Sequence, residues 1–595
     1  MYKIFTVLLA FFCALLLLSL RSGRISGSGF RRVAIGTDLR AGAAVRVAGN
    51  VKRPADVELI GCGPISAGTV DIQPDAEGRY APVFPGWGHH HYPVSTTNDS
   101  AQFFFDQGLS LYYGYHLTES YASFKEAARR DSTCAILYWG QALALGPYYN
   151  NSYTYKAPLT VQTVITRMTQ LALSASPKER DLIAAVGRRY DTDTSDRHRV
   201  QLNQAYSDDM RELIGKYPGD PDVKALYIDG VMIEHAWDMW EDPFKPRPWT
   251  PELEKYCNEI LAIDSVHPAA LHYYIHIEEA SGHASNAFIS AERLQASMPG
   301  VAHMVHMASH MYQRVNSNKE GVIINDRAVA AQNVYDSIAR GLKLVNTFSH
   351  YYAVQATCAM NGGMYEKGIE AANHCKEIMA GNPASLATRA YSQFLYSMPL
   401  FVQVRMGYWK GILETPVPDG ALAYASILSD FARGMAFLRT GRMEEAHRCL
   451  NSLRGRLNDP ILLTRRLPFS PAIEGAKVAE ALLSGEILFV DGKQQEAFDI
   501  FSKAIDREGK MVYAEPKEWP LPVRQYAGLC LLKAGRTQEA LTMYARDLEM
   551  NPGNGWAKVG RRQCHRAQNK PSLYSEGAAI RHAFYGGTVP SASAY

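Results

Sequence analysis

The sequence carries almost no surplus of charge of either sign, and this excludes one class of partner. Its 595 residues include 62 Lys and Arg against 59 Asp and Glu, which gives a net charge of +3. Proteins that bind nucleic acid usually present a basic patch or stripe. This charge balance provides no electrostatic basis for such binding, and we therefore expect no nucleic acid among the partners.

Several catalytic and redox motifs are also missing. The sequence contains no Gly-rich phosphate loop, no G-x-S-x-G elbow and no H-E-x-x-H motif. Its nine cysteines include no C-x-x-C pair, so their spacing supports neither a zinc knuckle nor a thioredoxin-like centre. Cys358 and Cys375 could pair between two helices of one repeat, or remain buried free thiols.

The one long hydrophobic run lies at the N-terminus. Residues 4–20 contain no charge, follow a basic start and end before Arg21. This pattern is typical of a secretory signal, and 17 residues can also just span a bilayer. We predict a signal peptide or signal anchor over residues 1–25, and a protein that is secreted, periplasmic or held in a membrane through residues 4–20. The Gly- and Pro-rich residues 26–95 are predicted to form an irregular extension.

The sequence does contain a helix–turn–helix period of 34 residues, as in tetratricopeptide repeats. Such a repeat has small residues at positions 8, 20 and 27 and bulky ones at 11 and 24, which lets its paired helices approach closely. A unit that starts at Leu521 places Gly528 at position 8 and Tyr544 at position 24. The same template fits units that start at Ala101, Ile427 and Val478. We predict an all-α solenoid of tetratricopeptide type over residues 96–568.

Two regions fit the template less well. Residues 150–265 have helical periodicity without a clear register. Within them, the Pro-rich stretch EDPFKPRPWTPE from Glu241 is predicted to be a loop that breaks a helix. Residues 569–595 are predicted to form a flexible tail.

Histidine is concentrated in one part of the solenoid. Seven of the 18 histidines fall between residues 267 and 310. His272, His276 and Glu279 are spaced i, i+4 and i+7, so they share one face of a helix. Three histidines of the next repeat share a face with spacing i, i+3 and i+7, and in the repeat register all of these positions line the concave groove. The predicted site consists of His272, His276, Glu279, His303, His306, His310 and His350.

This set of side chains is suited to a transition metal. Neutral imidazoles with a carboxylate bind zinc, copper, iron or nickel. Three or four such ligands around a vacant position would make a site of catalytic type, possible for a metal-dependent oxidoreductase. Tyr273, Tyr312 and Arg314 could orient the ligands or bind an anionic substrate. Two alternatives stay open, namely a metal-free groove for a peptide, protein or small molecule, and a structural network of hydrogen-bonded histidines.

The remaining histidines are weaker candidates. A structural role is favoured for His267, which precedes a proline, and for His283, which lies in a turn. The triplet His89–His91 is predicted to lie in a solvated loop, although it could fold over the groove and add a ligand. The segment HAWDMWED could shape a pocket, but an aromatic stripe on a helix is more often core.

Several segments resemble a family of exported bacterial tetratricopeptide-repeat proteins. They are the stretch from residue 101 to residue 150 and the blocks HPAALHYYIHIEEAS and PGVAHMVHMASHMYQRV. Members of this family share the HYYIH…E and HxxHMxSHxY blocks, and the resemblance covers most of residues 87–380. It implies a repeat architecture and a shared site formed by the seven residues named above, but no particular reaction. The family pattern often has a second histidine three residues after His350, where this sequence has Ala353.

Overall fold

A computed structural model describes residues 72–152, 155–192, 196–339, 342–344, 347–569 and 574–595 of the chain. The hydrophobic run of residues 4–20 and most of the predicted extension lie outside these ranges. Residues 72–98 form turns and bends, with neither helix nor strand. Among the described residues, no helix combines the length and the apolar character that crossing a membrane requires.

The chain from residue 99 onward is built of helices that pack on their neighbours in sequence. Single 3₁₀ turns at Tyr149–Asn151, Ala172–Ser174 and Ala284–Ala287 connect some of them. The helices up to the end of the histidine-rich region are α1 (Asp99–Tyr113), α2 (Leu117–Arg130), α3 (Ala135–Ala144), α4 (Thr160–Leu171), α5 (Pro177–Gly187), α6 (Arg199–Lys216), α7 (Pro221–Glu234), α8 (Thr250–Ile263), α9 (Pro268–Glu278), α10 (Phe288–Ser297), α11 (Ala302–His306), α12 (Ala308–Val315), α13 (Asn318–Ile338) and α14 (Phe348–Asn361).

The C-terminal part continues the same arrangement and makes the chain an all-α solenoid of tetratricopeptide type. Its helices are α15 (Tyr365–Ala380), α16 (Pro383–Thr388), α17 (Ala390–Tyr396), α18 (Met398–Met406), α19 (Trp409–Glu414), α20 (Ala423–Arg439), α21 (Met443–Arg456), α22 (Pro460–Thr464), α23 (Ala472–Val490), α24 (Gln494–Glu508), α25 (Val523–Lys533), α26 (Thr537–Met550), α27 (Gly555–Ala567) and α28 (Tyr574–Ala583).

The predicted contact between repeat positions 8 and 24 holds the helix pairs together. A Cβ atom added to Gly528 would lie 2.7 Å from the ring of Tyr544, closer than real Cβ atoms come to other atoms. Near the other end of the solenoid, a Cβ on Gly108 would lie 2.9 Å from Phe124. The absence of a side chain therefore lets an aromatic ring fill the space between the two helices. The register predicted from the sequence is confirmed at both ends.

The Pro-rich stretch after residue 240 differs from the plain loop that its composition predicts. Trp240–Asp242 pairs with Lys245–Pro246 in a two-stranded antiparallel hairpin, and α8 begins soon afterwards at Thr250. Pro248 lies in the turn before α8, and Pro251 lies in the first turn of that helix. Both positions tolerate a missing N–H. All seven described cysteines are free thiols, so Cys358 and Cys375 are not bonded to each other.

The C-terminal residues also differ from the flexible tail that the sequence predicts. Residues Tyr574–Ala583 form α28, and Phe584 after it is only 2% exposed. Its ring packs edge-on against Trp556 of α27, with the centroids 5.7 Å apart. The last repeat of a solenoid has an apolar face with no following repeat to cover it. Here the C-terminal segment covers that face.

Candidate metal centre

The structure brings the six predicted histidines together as two adjacent groups of three. We call them the first triad, which consists of His272, His276 and His303, and the second triad, which consists of His306, His310 and His350. Within each triad the candidate ligand atoms lie within 4.8 Å of one another. The six side chains come from α9, α11, α12 and α14, and every one of these residues is at most 3% exposed.

The distances between ring nitrogens would allow each triad to hold one ion, and they are also hydrogen-bond distances. In the first triad, Nε2 of His272 lies 3.0 Å from Nε2 of His303. In the second, Nε2 of His306 lies 3.0 Å from that of His310 and 2.9 Å from that of His350. Two imidazoles on a tetrahedral zinc have nitrogens roughly 3.3 Å apart. The triads also adjoin each other, because the rings of His303 and His306 have centroids 6.1 Å apart.

Glu279 connects the two triads through the opposite ring nitrogens. Its Oε1 atom lies 3.1 Å from Nδ1 of His276, and its Oε2 atom lies 2.5 Å from Nδ1 of His310. The carboxylate is thus a partner of the ligands in this structure, although the sequence placed it among the ligands. Carboxylates in this position fix the tautomer and the orientation of metal-binding histidines.

Two further acceptors fix other rings of the cluster. The backbone carbonyl of Tyr113 lies 2.6 Å from Nδ1 of His272. The side-chain oxygen of Asn325 lies 2.7 Å from Nδ1 of His306, and its amide group donates to the Gly321 carbonyl at 2.8 Å. Because the amide group is engaged in this way, the oxygen must face the histidine. Neither Tyr113 nor Asn325 was predicted, since neither belongs to the two histidine-rich segments.

These contacts determine where the protons lie. A nitrogen that faces a carbonyl or carboxylate oxygen must carry hydrogen, so four of the rings are protonated at Nδ1 and, when neutral, present a lone pair at Nε2. Nε2 of His276 has no hydrogen-bond partner although it is fully buried. Nε2 of His306 and Nε2 of His310 face each other across 3.0 Å. The arrangement therefore leaves lone pairs directed at one another.

Burial keeps most of these rings neutral. It lowers the pKa values of His272, His303 and His306 well below the usual range, and that of His350 to about 3. Burial also opposes ionisation of Glu279, but the charges of the two rings it contacts lower its pKa to about 2. For His310, burial acts downward, yet the neighbouring Glu279 carboxylate outweighs it and raises the pKa.

The repeat register alone predicts that the histidines line an open groove. In the structure they do not, because aromatic side chains cover them. The ring of Tyr115 lies 4.5 Å from that of His272, measured between centroids, and its backbone adopts a φ of 56° that directs the chain over the site. Tyr149 lies 4.9 Å from His276, and Trp237 lies 6.0 Å from it. Segments distant in sequence thus close the face that the repeat leaves open.

A third group of possible metal ligands lies beside the start of α9. The sequence did not predict this group. Nε2 of His90 lies 2.9 Å from Oδ1 of Asp222, and Nε2 of His267 lies 3.5 Å from the same oxygen. The side chain of His90 is 7% exposed, so this member of the His89–His91 triplet does not lie in a solvated loop. We call this group the aspartate triad. Because Ala270 N–H donates to Nδ1 of His267 at 3.4 Å, that histidine also caps α9.

The three polar residues predicted to assist the site are used differently. The Tyr312 hydroxyl donates to Glu292 at 2.5 Å, away from the triads. Tyr273 packs against Tyr115, with ring centroids 6.1 Å apart. Arg314 donates to the Ser281 carbonyl at 2.7 Å and lies on a polar cavity described below.

No family model matches the sequence, and a search of curated proteins found no relative. Among solved structures, the human IFIT1 dimer with m7Gppp-AAAA is 10% identical with a TM-score of 0.32, covering 82% of this chain and 90% of that one. The Cut9–Hcn1 hetero-tetramer of the APC/C is 12% identical with a TM-score of 0.28, covering 81% and 76%. The P58(IPK) TPR domain is 11% identical with a TM-score of 0.21, covering 79% and 98%. At such TM-scores, the assignment of this chain to the tetratricopeptide type depends on its own repeat contacts.

Proposed function

We propose that the protein is an exported helical-repeat protein whose two histidine triads hold a pair of transition-metal ions for binding or catalysis. The observation that carries this proposal is the set of acceptors at Nδ1. They direct four Nε2 lone pairs into the middle of the cluster, where the described residues offer no donor to His276. Export is supported by the uncharged run of residues 4–20.

A cation explains this arrangement better than packing does. Two lone pairs 3.0 Å apart repel each other unless a proton or a metal ion lies between them. A buried polar atom without a partner also costs about 1–3 kcal/mol. Metal ions at the centres of the triads would remove the repulsion between the lone pairs and give the unpartnered nitrogen a partner, because neutral imidazole nitrogen is a common metal ligand.

A proton alone accounts for only part of the cluster. The Glu279 carboxylate favours a protonated His310, whose Nε2–H could then donate to His306. In the first triad, the carboxylate contacts His276 alone, and Nε2 of that ring still has no acceptor or donor. In the first triad the metal-free network accounts for the contact between His272 and His303 but leaves Nε2 of His276 without a partner, which favours metal over a structural role.

The ligand set narrows the chemistry. Three imidazoles suit zinc, copper or iron, and a tetrahedral ion with three protein ligands keeps one position for water or substrate. Zinc in such a site activates water, whereas copper or iron supports the oxidoreductase alternative. A metal-free scaffold that binds a peptide through these histidines is disfavoured, because residues that are at most 3% exposed have no surface to offer a peptide.

Cobalt titration of the metal-depleted chain tests the proposal. Tetrahedral Co²⁺ absorbs visible light, and we expect absorption that saturates near two ions per chain, one for each triad. His306→Ala should abolish cobalt binding at the second triad, and His272→Ala should abolish it at the first triad. His90→Ala, which changes a buried histidine of the aspartate triad, is the matched control and should bind as the wild type does. Binding below one ion per chain, or equal losses in His90→Ala and His306→Ala, would refute the metal centre.

A further inference from the structure

A polar cavity of about 70 Å³ lies beside the second triad. Its walls come from the end of α12, the start of α13, the end of α14 and the segments around residues 515–522 and 551–554. Arg314 on its wall is one helical turn beyond His310, and the Glu515 carboxyl on the same wall is close enough to influence the pKa of that histidine. The cavity is therefore a separate compartment next to the histidine cluster.

The positive side chains of this cavity have neutral partners. Arg314 donates to two backbone carbonyls, those of Ser281 and Met550, at 2.7 and 3.1 Å, and its Nε has no partner. Lys517 donates to the side-chain oxygen of Asn551. No carboxylate forms a salt bridge with either cation within the described part of the chain.

The nearby acid groups compensate that positive charge only in part, since they act on Arg314 and Lys517 without forming an ion pair. Glu515 accepts hydrogen bonds from Tyr513 and from Gln313, the latter at 3.0 Å, and burial raises its pKa. A carboxyl with a raised pKa offsets less positive charge. Asn316 is 3% exposed, lines the cavity, and its amide nitrogen has no partner. The walls thus offer the basic groups of Arg314 and Lys517 and a free N–H donor to an occupant, and burial lowers the pKa of Lys517.

We propose that this cavity binds a small carboxylate anion between Arg314, Lys517 and Asn316. A volume of about 70 Å³ leaves room for a carboxylate as small as acetate, formate or glycolate. Arg and Lys bind carboxylates through charge-assisted hydrogen bonds, and the Asn316 amide would add a neutral one. The proposal does not depend on the metal centre, since none of these residues belongs to a triad.

Inorganic phosphate is a less suitable occupant. Phosphate sites commonly use free N–H groups at a helix N-terminus. Two helices begin at this cavity. The first N–H groups of α27 are occupied, because the side chain of Asn554 accepts from Trp556 and Ala557 at 3.0 and 3.4 Å, whereas α13 has no side-chain cap. A second negative charge would also be repelled by the ionised Glu279, which already acts on the adjoining Glu515. A monoanion fits this surrounding better.

Calorimetric titration of the metal-depleted full chain with sodium acetate, sodium formate and sodium glycolate tests this site. We expect saturable binding of at least one of the three, above the heat given by sodium chloride at equal ionic strength. Lys517→Met and Asn316→Asp should each weaken it at least about tenfold, because each removes or opposes a charge-assisted contact. Lys410→Met, which changes a lysine side chain that is 81% exposed, should bind as the wild type does.

Two results would overturn the proposal. One is no saturable binding of any of the three probes, or saturable binding of sodium phosphate instead. The other is unchanged binding in Asn316→Asp with a wild-type circular dichroism spectrum. Asn316→Asp keeps the side-chain oxygen that accepts from Asn318 at 3.2 Å, so it tests the site even if the Lys517 variant does not fold. A crystal structure with glycolate decides any remaining case, since the anion must lie against Arg314.

Discussion

The six-histidine cluster and the aspartate triad both contain buried histidines within ligand distance of one another, and they differ in what faces Nδ1. In the cluster, Nδ1 of His276 faces a carboxylate oxygen, so the proton lies there and Nε2 is free to bind. In the aspartate triad, Nδ1 of His267 accepts a backbone N–H from Ala270, so the proton of the neutral ring lies on Nε2. That Nε2–H points at Asp222, 3.5 Å away. In both groups the candidate ligand atoms lie close together, but only in the cluster do Nε2 lone pairs face the centre of the group.

The two carboxylates show the same difference. Glu279 contacts the Nδ1 atoms of two histidines, which leaves both Nε2 atoms available. Asp222 contacts the Nε2 atoms of His90 and His267 and also accepts the Tyr113 hydroxyl at 2.8 Å. Oδ1 of Asp222 is therefore already engaged by His90 and by the Tyr113 hydroxyl, although Nε2 of His267 is a buried atom without a hydrogen-bond partner. We expect metal in the cluster and none in the aspartate triad.

The largest expected effect is on the affinity for cobalt, and it distinguishes the two carboxylates when each is replaced by its amide. Glu279→Gln keeps the shape but can accept from only one of its two histidines, since its amide nitrogen must face the other. Loss of such an outer partner typically weakens metal binding 10- to 100-fold, and here we expect it at both triads. Cobalt titration followed by absorbance measures it.

Asp222→Asn is the matched control, because it makes the same chemical change at a carboxylate that also contacts two histidines. It should lower stability without changing the affinity for cobalt. If Asp222→Asn weakens cobalt binding as strongly as Glu279→Gln, the distinction between the two groups fails.

A smaller effect is expected on the stability of the metal-depleted protein and its dependence on pH. The folded pKa of His350 is about 3, against about 6.5 for a free side chain, so the unfolded state takes up the proton first. Stability is therefore lost as the pH falls from about 6.5 toward 3. His350 alone accounts for about 2 kcal/mol between pH 7.5 and 5. Urea unfolding of the wild type and of His350→Gln at both pH values should show this difference.

His90 should behave in the opposite way. Burial acts to lower its pKa, but Asp222 outweighs it, so the folded pKa is raised. Its stabilisation is present below about pH 6.5 and is lost as the pH rises through the folded pKa. His90→Gln should therefore steepen the loss of stability in acid, whereas His350→Gln should flatten it. Equal slopes in the two variants would contradict the assignment of a neutral cluster and a charged triad.

Much of the fold could be predicted because its cause is local. A glycine and an aromatic residue 16 positions apart, such as Gly528 and Tyr544, predict the contact that the structure shows. The tail could not be predicted in this way. Its burial depends on Phe584 meeting Trp556, a contact across 27 residues and a loop, and no periodic pattern records it.

The same limit applies to the site. Helical spacing placed His272 and His276 on one face, and the structure brings them to 4.8 Å between ring centroids. Two of the acceptors at Nδ1, Asn325 and the Tyr113 carbonyl, and the covering ring of Tyr115 come from α13 and from the end of α1, outside the two histidine-rich segments. The aspartate triad joins Asp222 to His90, which lies 132 positions earlier, and to His267, which lies 45 positions later (267 − 222), and no periodic pattern connects these residues. Periodicity identifies side chains on one face, but it does not identify what covers that face.

The smallest expected effect concerns one partner of the second triad. Asn325→Ala removes the oxygen that fixes the His306 tautomer, so Nδ1 and Nε2 then compete for the proton. In a His272→Ala background, which isolates the second triad, we expect cobalt to bind about tenfold more weakly. Asn325→Asp restores an acceptor at the same place and should recover the affinity. A purely structural Asn325 would predict that both substitutions destabilise the fold and that neither selectively changes cobalt affinity. Recovery in the aspartate variant is therefore the result that ties the tautomer of His306 to metal binding.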